Sequence, residues 1–138
     1  MAIPKVFVSF DWDNDKHYKF LLEAWDANSD FDFSFSDNTP TEIQSTDISK
    51  IKAAITTKIN KSDYTLVIVG SEANKKHSDS EEIGFTNWIN FEVNRSIDVT
   101  KLRAVKIESS YSIPLELSGQ DYIVRTGFSE ENVLELLD

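Results

Sequence analysis

Tyr64-Thr65-Leu66-Val67-Ile68-Val69-Gly70 is the most apolar run in the chain, and a segment of that kind must be covered on both faces. It predicts a central, fully buried strand, which in turn requires helices packed above and below a sheet. The flanking segments agree. Residues 3–10 form a second β-rich apolar run with Ile3, Val6, Phe7, Val8 and Phe10. Asp11-Trp12-Asp13-Asn14-Asp15 breaks it and supplies capping groups and negative charge for a helix from Lys16 to about Asn28, whose apolar face is Tyr18, Leu21, Leu22 and Trp25.

Phe31-Asp32-Phe33-Ser34-Phe35-Ser36 alternates strictly and reads as a strand near a sheet edge. A polar turn with Pro40 follows, and then a helix capped by Thr46 or Asp47 that carries Ile48, Ile51, Ile55 and Ile59. Ser71 to Thr86 is too hydrophilic to pack and reads as a long surface loop. A helix from about Asn87 to Ile97 buries Ile89, Val93 and Ile97. Strands over residues 103–108 and 122–124 and a last helix capped by Ser129 complete the order. Only about a dozen residues separate the last two strands, little room for a crossover helix. The expected fold is α/β: one doubly wound domain over residues 1–138, a mostly parallel five-stranded sheet with helices on both faces, without repeats or linkers.

Composition excludes several classes. The chain has 138 residues and no cysteine, so disulfides and thiolate chemistry are absent. Its net charge of −10, with no cationic cluster free of acids, argues against nucleic acid and against an anionic membrane. No apolar run suits a bilayer and Met1-Ala2-Ile3-Pro4-Lys5 is no secretory signal, so a cytoplasmic protein is expected. His17 and His77 lie far apart, and no metal site is expected.

Ligands of open parallel sheets bind beyond the carboxyl ends of the strands, where the strand order reverses. With the first and third strands as neighbours, Phe10-Asp11-Trp12, Gly70-Ser71-Glu72 and the loop around Thr39-Pro40 would line that crevice. Trp88 and Glu92, four apart on one helix face, would reach it at the margin of the core. Neither a glycine-rich phosphate loop nor a receiver aspartate after the third strand is present.

Val6-Phe7-Val8-Ser9-Phe10-Asp11, Pro40 in its polar loop, Thr65 to Gly70, and Trp88 with Glu92 together resemble TIR domains. More narrowly, Ser9 to Tyr18 and Trp88 to Val93 are similar to the small bacterial TIR-like proteins, among them the TIR subunits of Thoeris antiphage systems. The resemblance implies an NAD-consuming enzyme, a glycohydrolase or ADP-ribose cyclase, with NAD as substrate and no cofactor. Glu92 would be catalytic, stabilising the oxocarbenium-like ribose left when nicotinamide departs. Phe10, Asp11, Trp12, Ser71 and Trp88 would bind the substrate. The implied partners are NAD, a separate effector protein switched on by the product, and the chain itself through self-association.

Each signal also has a plainer reading. Glu92 on a helix can be a solvated charge paired with Arg95. Trp88 packs equally well as a core residue, and Asp11 and Asp13 read equally as an N-cap cluster. Lys75-Lys76-His77 reads as a solvated patch. A non-catalytic interaction module and a nucleotide sensor without turnover stand beside the enzyme.

Overall fold

The structure is a computed structural model that describes residues 4–27, 34–36 and 47–137. Five strands, β1 (Lys5–Ser9), β2 (Ser34–Ser36), β3 (Tyr64–Val69), β4 (Lys101–Lys106) and β5 (Ile123–Thr126), lie in the order β2-β1-β3-β4-β5. Every neighbouring pair is parallel. The expected doubly wound sheet is thus present, with its switch point between β1 and β3.

Strand alternation sorts the core into two sides. Val6, Val8, Phe10, Leu66 and Ile68 pack with Leu22 of helix α1 (Trp12–Ala27) and with Val133 and Leu136 of α5 (Glu130–Leu136). On the other side, Phe7 meets Ile51, Ile55 and Ile59 of α2 (Ile48–Asn60), while Val67 and Val69 meet Ile89 and Val93 of α4 (Trp88–Ser96). β3 is buried at every position, as its sequence requires. Asp47 caps α2, its Oδ1 accepting from the Ser49 and Lys50 amides.

Four details differ from expectation. α1 begins at Trp12 rather than Lys16, because the Asp15 amide already donates to the Asp11 carbonyl at 2.7 Å. The acidic run is the helix's first turn, where negative charge is favoured. β4 starts two residues early at Lys101, whose amide donates to Asp63 O. β5 is exposed along its length, and a 3-10 turn over Leu115–Leu117 seats the buried Leu117 against the α4 side. The fourth concerns residues 71–86. They pack: Ala73 and Ile83 are buried, and a short α3 (Ser80–Ile83) ends on Gly84 at φ 85°, a left-handed cap natural to glycine. The Pro40 turn and the start of the second strand lie outside the described residues.

Candidate active site

Ser9 is the last residue of β1 and its one buried polar member, since Lys5 at the other end is exposed. Its neighbours Val8 and Phe10 face α1, so its own side chain faces α4. There its Oγ donates to Glu92 Oε1 at 2.6 Å, with Ser9 fully buried and Glu92 only 4 % exposed. A bond that short to a carboxylate is a strong one, and it fixes the acid's orientation. Glu92 is therefore inside the core rather than at its margin. Arg95 is engaged elsewhere, stacked over the Phe91 ring at 4.9 Å and donating to Asn94 Oδ1.

The helix that carries Glu92 is braced by amides. Asn87 caps α4 by accepting from the Asn90 amide, and its own Nδ2 donates to the carbonyls of Ala73 and Lys75. Asn90 donates to Asn74 Oδ1 and accepts from the Glu116 amide, while Asn74 holds the Ile113 carbonyl and the Leu115 amide. One turn below Glu92, Ser96 and Thr100 bond the Thr65 hydroxyl of β3 at 2.8 and 2.7 Å. These bonds satisfy the buried polar groups that a helix packed so tightly would otherwise strand.

The remaining expected residues occupy different settings. Phe10 packs in the core on the α1 side, 5 % exposed. Asp11 lies half-buried at the start of α1, where Asn14 donates to its Oδ2. Trp12 opens the helix, and its side chain lies outside the described features. Ser71 is exposed, two residues past the end of β3. Trp88 is buried among Phe7, Ile83 and Phe91, with His77 edge-on to its ring. The structure thus brings Glu92 to the end of β1 and puts Asp11 and Ser71 at the ends of β1 and β3. His77 is held by its neighbours, its Nδ1 accepting from the Asp79 amide, while Lys75 and Lys76 are exposed. An open groove beside Lys76, Phe85, Thr86, Asn90 and Leu115 is lined by none of the expected site residues.

Two residues that sequence reasoning passed over belong to this region. Ser9 is one, and its signal was a hydroxyl where alternation allows only a buried side chain. Asp15 is the other. Its carboxylate, 6 % exposed, stands so close over Gly70 that a Cβ there would lie 2.1 Å from Oδ2. Burial, and then the charge of Asp11, push Asp15 up to about 6, with His17 pulling the other way. The nearby Tyr18 phenol is raised too, by burial and then by Asp15 and Glu108. No spacing in the sequence announces a contact between residues 15 and 70. Among the described residues, no cluster of His, Asp and Glu could hold a metal ion, and no helix is long and apolar enough to cross a membrane.

The parallel sheet in the order 2-1-3-4-5 is the doubly wound, flavodoxin-like arrangement, and here a buried glutamate on α4 meets the serine that ends β1. A solved structure agrees on the fold: the crystal structure of a prokaryotic SEFIR domain superposes with a TM-score of 0.56 at 16 % identity, covering 97 % of this chain and 87 % of that one. The sequence profile of the family described as Thoeris protein ThsB, TIR-like domain, matches residues 7–112, and the chain belongs to that family. No curated protein sequence matches it.

Proposed function

We propose that this chain cleaves the nicotinamide–ribose bond of NAD and converts the remainder into an ADP-ribose signal, cyclic in form, that activates a separate effector in antiphage defence. The observation that carries the reading is the Glu92 carboxylate, buried in a chain of the ThsB family and aligned by the Ser9 hydroxyl. In the reaction the C1′–N bond breaks and its electron pair leaves with nicotinamide. The cationic ribose left behind is stabilised by a carboxylate that needs no reorganisation. Attack on C1′ by a nucleophile of the same ADP-ribose, with loss of its proton, closes a ring; attack by water gives the linear product. Asp11 and Ser71 would touch the nucleotide at the strand ends, whereas Phe10 and Trp88 would shape the walls from behind.

The test is mass-resolved chromatography of NAD incubated with wild-type protein and with Glu92→Gln, alongside extracts of phage-challenged cells expressing each. Nicotinamide with an ADP-ribose species from the wild type alone supports the reading. A folded wild type that yields no product in either setting sinks it. A non-catalytic interaction module is the second reading, and the exposed edge strand β5 favours it, with Ile123 44 % and Val124 38 % exposed.

A further inference from the structure

Asp15 is a buried acid for which the proposed chemistry has no use so far. It is 6 % exposed, and its Oδ2 accepts no hydrogen bond from the described residues. Burying a carboxylate without a donor opposes folding, so an acid retained in such a place points to a ligand that supplies one. The residue beneath it is adapted to it: any side chain at Gly70 would strike the carboxylate. An acid on α1 and a glycine after β3 together keep negative charge at the switch point of the sheet.

Its position relative to Glu92 indicates what the donor would be. Val69 packs on the α4 side, so the next position, Gly70, turns toward α1 and Asp15. Ser9 pairs with Val67, which puts Gly70 three residues, ~10 Å, further along the strand direction. Glu92, at the level of Ser9, and Asp15, at the level of Gly70, flank the β1/β3 junction from opposite faces and at different heights. A dinucleotide likewise carries two ribose rings set apart on either side of its pyrophosphate, so one ligand can address both acids. We infer that Asp15 receives the vicinal hydroxyls of the ribose on the adenosine half, while Glu92 faces the ribose whose bond breaks. The inference rests on the NAD reading of the site. A free diol offers two donors to a carboxylate, whereas a 2′-phosphate offers charge of the wrong sign. Asp15 thereby selects NAD over its 2′-phosphorylated counterpart.

Steady-state kinetics with both dinucleotides on wild type, Asp15→Asn and Asp15→Ser, with thermal melts alongside, test this. Asp15→Asn should raise KM for NAD about tenfold or more, with kcat changed far less, and should narrow the preference between the two substrates. Its melting temperature should hold or rise. Unchanged KM and preference in variants that turn over NAD would overturn the role of Asp15 while leaving Glu92 untouched. Unfolding of both variants would also overturn it, by making the acid structural. A wild type that neither binds nor cleaves NAD removes the site reading and this inference with it.

Discussion

Ser9 and Glu92 are 83 residues apart in sequence and joined by a 2.6 Å hydrogen bond inside the protein. Ser9→Ala leaves a buried carboxylate oxygen short of a donor. We expect a loss of about 1–3 kcal/mol of stability. If Glu92 is catalytic, kcat should fall about tenfold through misorientation of the acid. Denaturant melts and NAD turnover measure the two effects, and a variant as stable and active as wild type would show that the bond is idle.

Asp15 makes stability depend on pH in an unusual direction. The folded protein binds its proton more tightly than the unfolded chain does, since burial first and Asp11 second raise it from 3.8 to about 6, against His17. Between those values the native state holds more protons, so stability falls as pH rises and levels off above about 6. The full effect is at most about 3 kcal/mol, and a move from pH 7.5 to pH 5 should recover about 1 kcal/mol of it. Asp15→Asn should flatten this dependence and raise stability at pH 7.5. Tyr18, Tyr111 and Glu108 also face the cluster and must be held constant in the comparison. Urea titrations at the two pH values decide it: parallel curves for variant and wild type would rule the account out.

Gly70→Ala puts a methyl group against the Asp15 carboxylate. The carboxylate or the helix must shift, at a cost of about 1–3 kcal/mol. The same change in an Asp15→Ala background should cost little, because the obstacle is gone. A double-mutant cycle measures this coupling, and additive effects would argue against the contact.

Asn87→Ala removes a helix cap and two donations into the 71–86 segment at once. About 2 kcal/mol or more should be lost. Asn87→Ser can keep the cap but not the donations, so it should fall between alanine and wild type. Hydrogen exchange in residues 73–76 should quicken in both variants, and protection equal to wild type would contradict the assignment.

The legible parts of this fold were those written in hydrophobic period. The continuous run at Tyr64–Val69 and the isoleucines of α2 at helical spacing each fell where they were expected. The helix expected from about Asn87 begins at Trp88, with Asn87 as its cap. The stretch 71–86 misled because its few apolar residues, Ala73 and Ile83, carry the packing while amide bonds from α4 carry the rest. The early start of α1 was hidden because aspartates break a strand and begin a helix with equal ease. At the site, Glu92 was legible through family likeness and Trp88 as an apolar neighbour. Ser9 and Asp15 matter through contacts at long separation, which periodicity cannot encode.

The bracing of α4 is built from Asn74, Asn87 and Asn90, none of which gains or loses a proton in any ordinary buffer. Acidification, which neutralises Asp15 at the strand ends, therefore leaves these asparagine bearings of Glu92's helix as they were. The asparagine part of the frame around that carboxylate is indifferent to pH, and the strut of α4 that ends on an acid is the bond from Asn94 to Glu116 Oε1.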